Sequence, residues 1–199
     1  MRLYIVGFLV IFFSGCSTMT PAVTEYRIET SSLENSHTPK SGCSNKTLKV
    51  QRAFAANSLM SHSMNYGIGT HKQYSYTQAK WADTPNKAIT MQLTNALRKS
   101  ALFGSVLGDH SRSGADLILE SSLEEFMQYF DEDSKDSFVK IVIHFTLIDT
   151  TNNQVIETKS FEAKVDAPSD DAQGGVLALN EGLKEIFAQN RVWLEEVCQ

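Results

Sequence analysis

The chain has 199 residues, a formal net charge of −5 and 42% hydrophobic residues. That length suffices for one domain with a sizeable core. The acidic balance offers nothing to attract nucleic acid, and no stretch after residue 16 is apolar for long enough to span a membrane.

The first element is the apolar run Leu3 to Phe13, 11 residues with Gly7 inside it, preceded by Arg2 and followed by Ser14 and Gly15. A spanning helix needs about 20 apolar residues, so the run is too short. A charged start, an apolar middle and a small-residue exit are the order of a secretory signal peptide. Its end, Phe13-Ser14-Gly15-Cys16, resembles the bacterial lipobox, with Phe where Leu is commonest. The resemblance implies a diacylglyceryl group on the Cys16 sulfur, cleavage before Cys16, and acylation (palmitate) of the new amine. The competing reading is an uncleaved N-terminal anchor with an incidental Cys. Two or more acyl chains anchor a protein stably. Ser17, where Asp would retain a lipoprotein in the inner membrane, implies an outer-membrane anchor facing the periplasm.

Three cysteines are present. With Cys16 lipidated, Cys43 and Cys198 remain as one pair, and export places them where disulfides form and persist. The alternative is two separate buried thiols.

Residues 17–46 hold 11 Ser or Thr in 30 with Pro21, Pro39 and Gly42, a linker composition too polar for a core. Within it, Val23, Tyr26 and Ile28 hint at a short strand over 23–30 that could dock on a sheet. Residues 47–56 put Leu48, Val50, Arg52 and Phe54 in strand register. Residues 59–81 read as a hairpin, with Gly67 and Gly69 at the turn and Tyr74 and Tyr76 on one face. Thr84 and Pro85 open a helix whose apolar face is Ile89, Leu93, Ala96 and Leu97, with Gly104 as its stop. Residues 115–130 alternate poorly. The charged stretch 131–136 is a turn. Residues 137–149 place Val139, Ile141, Ile143, Phe145 and Leu147 on one face and Val142 and Ile148 on the other, as in a central strand. Residues 155–165 return with charges that suit a sheet edge. A last helix, about 169–197, has Asp170 and Asp171 at its start, where the macrodipole favours negative charge, and apolar Val176, Leu179, Leu183, Ile186, Phe187 and Leu194. The order strands, helix, strands, helix predicts a single α+β domain, a mostly antiparallel sheet with two helices packed on one face. The expected segments are 1–15 signal peptide, 16–46 lipid-anchored tether and 47–199 folded domain.

The stretch from Tyr74 to Val106 carries a resemblance. A Tyr-rich strand, Trp81-Ala82-Asp83, Pro85 opening an amphipathic helix and a Phe103-x-x-Val106 exit resemble the ABC-type transport auxiliary lipoprotein family. The lipobox and Tyr26-Arg27-Ile28 fit the same family. The resemblance implies a non-catalytic partner of an ABC transporter whose MCE-domain subunit handles lipids or other hydrophobic molecules. Its implied partners are the membrane through the N-terminal lipid, the transporter subunits, above all an MCE-domain protein, and a lipid; a homo-oligomer is compatible with that role. A stand-alone lipid-binding carrier is the alternative, distinguished by a large apolar cavity.

Catalytic and metal motifs are absent from the sequence. His37, His62, His71, His110 and His144 form no H-E-x-x-H or i, i+4 pair. Gly67-Ile68-Gly69 lacks the rest of a dinucleotide fingerprint, no G-x-S-x-G occurs, and residues 131–136 lack the calcium-loop order. Neither enzyme activity nor a cofactor is expected. One region offers more than core: Met64, Tyr66, Tyr74, Tyr76 and Trp81 crowd the hairpin. They suit a docking or lipid-contact surface; the competing reading is the core face of the sheet beneath the helices.

Overall fold

The computed structural model describes residues 21–30, 41–131 and 136–199. One long antiparallel ladder organises it. Strand β7 (Leu117–Phe130) pairs with β8 (Ser137–Asp149), and β8 pairs with β9 (Gln154–Asp166). The other edge of β7 is served in three steps by a chain running parallel to it. β2 (Thr47–Val50) pairs at Leu117–Leu119, β3 (Phe54–Ala55) at Ser122–Leu123, and β4 (Ser63–Ile68) at Gln128–Phe130. From β4 the sheet continues to β5 (Lys72–Trp81) and β1 (Thr24–Tyr26); from β2 it continues to β6 (Ser105–Leu107). Helices α1 (Pro85–Lys99) and α2 (Ala172–Val197) complete an α+β domain. The three longest pairings are antiparallel, but β1, β2, β3 and β4 add parallel ones, so the sheet is mixed.

Sequence pattern and structure meet most closely in β8. Val139, Ile141, Ile143, Phe145 and Leu147 are each at most 1% exposed, while alternate residues lie half-buried on the opposite face. Residues from both helices join those odd positions in a single core cluster, so both pack on the same face. The poor alternation of β7 has a physical cause. Its register with β8 shifts between Leu123 and Glu125, a β-bulge that inserts one residue and reverses the phase. Leu117, Leu119 and Leu123 are buried before the bulge, and Phe126 and Gln128 after it.

Residues 47–56 are not one strand. The chain breaks between Val50 and Phe54, and the phase slips: Ala53 and Ala55 are buried, Phe54 is 73% exposed, and Arg52 pairs with Asp109 at 2.8 Å. Side chains of α1 hold the break. Thr90 Oγ1 accepts from Ala53 N–H at 2.9 Å, and Asn86 Nδ2 donates to Ala53 O at 3.3 Å. Helix α1 also stops earlier than Gly104 suggests. Lys99 is its last residue, and Ala101 takes a positive φ of 54°. Thr84 is its N-cap by position, but its hydroxyl donates to Asn86 Oδ1 rather than accepting from a backbone amide.

The segment 24–30 docks on the domain. β1 pairs with β5, and Ile28 is 4% exposed. Glu29 N–H donates to Asn180 Oδ1 of α2 at 3.1 Å, and Gln92 Nε2 of α1 donates to Ile28 O at 3.2 Å. After α2, Cys198 forms a disulfide with Cys43, across 155 residues of sequence. Gly42 N–H donates to Cys198 O at 2.6 Å, and a Cβ on Gly42 would come within 2.5 Å of that oxygen.

Candidate docking surface

The aromatic residues of the hairpin divide into two groups. Met64 and Trp81 are 1% and 3% exposed, and Trp81 packs on Phe126 with ring centroids 5.7 Å apart. Both belong to the core and offer no surface, because the C-terminal part of β5 and the start of β4 lie beneath the helices. Tyr66, Tyr74 and Tyr76 lie nearer the hairpin turn. Tyr66 stacks on Tyr74 at 5.6 Å, lies 4.6 Å from Tyr76, and meets Phe130 edge-on at 5.5 Å. Cross-strand register explains the cluster: Tyr66 stands opposite both Tyr74 of β5 and Gln128 of β7, so these side chains share the helix-side face of the sheet. Here the sheet extends past the start of α2. The result is an aromatic shelf on which Tyr74 is 46% exposed.

The inner side of the shelf is fixed by hydrogen bonds. Tyr76 Oη donates to Gln128 Oε1 at 2.9 Å, and Gln128 Nε2 donates to Ser137 Oγ at 2.9 Å. Gln128 is 1% exposed, so this chain satisfies a buried amide. Burial pushes the Tyr76 hydroxyl well above its ordinary range, reinforced by Tyr66, Asp171 and Asp170. It therefore remains a donor at neutral pH. Gly175 of α2 makes room, since a Cβ there would stand 2.1 Å from Gln128 Oε1. Asp171 caps the same helix by accepting from Gly174 N–H at 2.8 Å. Sequence reasoning missed Phe130 and Gln128. Both follow the bulge, where alternation read from the front half of β7 assigns the wrong face.

The turn itself uses Gly69, whose φ is 61°. Gly67 lies within β4 against the Tyr129 ring, which a Cβ would approach to 2.7 Å. On the opposite face of the sheet, His144 contacts Ser160 Oγ and lies 2.8 Å from Glu124, a half-exposed polar strand residue. Among the described residues no group of His, Cys, Asp and Glu could hold a metal ion, and no helix is long and apolar enough to cross a membrane. Cys16, His37 and most of the 131–136 turn lie outside the described residues.

The space beneath the helices is filled. Trp193, Phe145, Phe187 and Leu183 are each at most 1% exposed. The described clefts lie at the surface. The largest of those at the β8–β9 end, about 580 Å³, is lined by Asp131, Asp136, Asp166, Asp170 and Lys164 among others, a charged wall unsuited to an acyl chain.

Comparison with known proteins agrees with this architecture. The chain is similar in fold to a Xanthomonas campestris protein of the DUF330 family: 17% identity, 88% of this chain and 96% of that one covered, TM-score 0.78. A second solved structure, of an uncharacterised protein, gives 17% identity, 87% and 99% coverage and a TM-score of 0.66. A hypothetical protein from Chlamydia trachomatis gives 10% identity, 77% and 98% coverage and a TM-score of 0.53. A search of curated proteins gives no match. The model of one family, ABC-type transport auxiliary lipoprotein component, matches residues 26–189, from β1 to the last third of α2. The chain therefore belongs to the ABC-type transport auxiliary lipoprotein family.

Proposed function

We propose that this protein is an outer-membrane lipoprotein, anchored through acylated Cys16 and facing the periplasm, that serves a lipid-moving ABC system by docking to its subunits rather than by catalysis. An MCE-domain subunit is the expected partner. The observation that carries the docking reading over the carrier reading is the solid core. A carrier needs an apolar cavity of several hundred Å³ to bury its cargo. Here that volume is occupied by Leu183, Phe187, Trp193 and Phe145, each at most 1% exposed. Family membership supports the transporter link, and the sequence Phe13-Ser14-Gly15-Cys16 supports the anchor.

The test uses the natural chain and a Cys16→Ala variant in the native host. Membrane fractionation with chemical crosslinking should place the natural chain with outer membranes and join it to an MCE-domain protein. The variant should lose the membrane fraction. A natural chain that is crosslinked to no transporter subunit, and that yields a tightly bound lipid on extraction, would favour the carrier.

A further inference from the structure

The docking of β1 determines where an anchored N-terminus leaves the domain. Only eight residue steps separate Cys16 from Thr24, at most about 28 Å of extended chain. β1 runs parallel to β5 with Thr24 opposite Ala79, so the chain before it approaches from the side of the β4–β5 turn. From Ala79 back to Lys72 is seven residues of strand, about 23 Å. The two lengths match. Eight steps of chain are therefore long enough to let a lipid on Cys16 reach the level of the hairpin turn.

At that same end the sheet bears its exposed aromatic shelf. Tyr74 is 46% exposed, Tyr66 and Tyr76 are half-buried, and Phe130 closes the cluster. Half-buried Ile68 precedes the turn, and His71 and Lys72 follow it. Side chains with an apolar body and a polar tip collect at the boundary between membrane and water. Asp131, Asp136, Asp166 and Asp170 line a cleft at the same end of the sheet, where Phe130 pairs with Ser137, which suits a zwitterionic surface better than a strongly anionic one.

We propose that the β4–β5 hairpin and its aromatic shelf rest on the bilayer that holds the anchor, with zwitterionic phospholipid headgroups as the occupant. The domain is then held in one orientation and does not swing on a long tether. Residues 41–46 and the C-terminal end of α2, joined by the Cys43–Cys198 bridge, lie toward the Leu117 end of β7, away from the contact, and leave that surface to partners. This inference rests on lipidation of Cys16.

Hydrogen exchange tests it. The lipidated full chain on phosphatidylethanolamine-rich vesicles is compared with the same chain exported without lipid (Cys16→Ser behind an ordinary signal peptide). Amides of residues 68–76 should exchange at least about fivefold more slowly on vesicles, while those of 154–160 in edge strand β9 stay unchanged. Tyr74→Ser should remain on the vesicles and lose part of that protection. Equal exchange at 68–76 in an acylated, vesicle-bound chain would overturn the inference and leave the anchor standing. Equal protection in the lipid-free chain at high concentration would overturn it in favour of a second copy on the shelf. An N-terminal peptide without acyl mass would overturn the anchor and this inference together.

Discussion

Breaking the Cys43–Cys198 bridge should remove a large part of the domain's stability. The bridge joins the segment just before β2 to the end of α2 and closes a loop of 155 residues. In the chain-entropy account such a loop contributes about 5 kcal/mol by restricting the unfolded chain. The folded side should change little. Both cysteines sit at 6% exposure or less, and the Gly42 N–H to Cys198 O bond of 2.6 Å holds the two segments together without the sulfurs. Whole-domain stabilities run to about 5–15 kcal/mol, so the loss is a third or more of the total. Urea unfolding of the oxidised protein, compared with Cys43→Ser/Cys198→Ser, should show the midpoint falling by about 2 M, with an m-value near the top of the usual ~1–3 kcal/mol/M. The m-value itself should rise, because the unfolded chain expands once the crosslink is gone. A midpoint shift under about 0.5 M with an unchanged m-value would refute the entropic argument. Two free thiols in the native exported protein would refute the bridge.

Three further predictions concern the hairpin and the start of α2. Gly175→Ala gains about 1 kcal/mol in helix propensity, but its Cβ would stand 2.1 Å from Gln128 Oε1 and displace a buried amide held by Tyr76 and Ser137. The lost hydrogen bonds cost about 1–3 kcal/mol, so the urea midpoint should fall; a rise would show that Gln128 relaxes freely. Asp171 accepts from Gly174 N–H and from the Ser169 hydroxyl, and these bonds hold its carboxyl below the usual range. A depressed folded pKa gives stability that is present above the unfolded value and lost as pH falls through the folded one. Asp171→Asn should therefore flatten the fall in stability below about pH 4 while changing little at neutral pH, as Asn also caps helices; an unchanged acid profile would contradict the cap's role. Trp81→Ala should cost about 3–5 kcal/mol, since Trp81 is 3% exposed. Tyr74→Ala, at an exposed position, should stay within about 0.5 kcal/mol; equal losses at the two sites would mean that the shelf is core.

How much was legible follows from the kind of interaction each element depends on. The strand alternation of β8 and the apolar face of α2 are local patterns, and they translate directly into buried positions. Edge strand β9 was legible from the charges it carries. The Cys43–Cys198 pair emerged from an odd count of three cysteines with one given to a lipid. What stayed hidden depends on contacts distant in sequence. The β7 bulge is visible only against β8, and it moved Gln128 and Phe130 to the face where they meet Tyr76 and Tyr66. The break after Val50 is held by Thr90 and Asn86 from α1, about 40 residues on, so the alternation through Phe54 misled. Parallel pairing of β2, β3 and β4 with β7 carries no local signal. The crowding of Met64, Tyr66, Tyr74, Tyr76 and Trp81 fits a surface or a core face taken as one group, yet strand depth splits the group, with Met64 and Trp81 inside and Tyr74 outside.

The most direct test of the account is native mass spectrometry of the lipoprotein extracted from its own membranes in mild detergent. The chain should begin at acylated Cys16, be in complex with subunits of an ABC transport system, and carry no second, non-covalent lipid inside the domain. A chain isolated without any transporter subunit, holding one lipid that persists after the detergent is stripped, would contradict it.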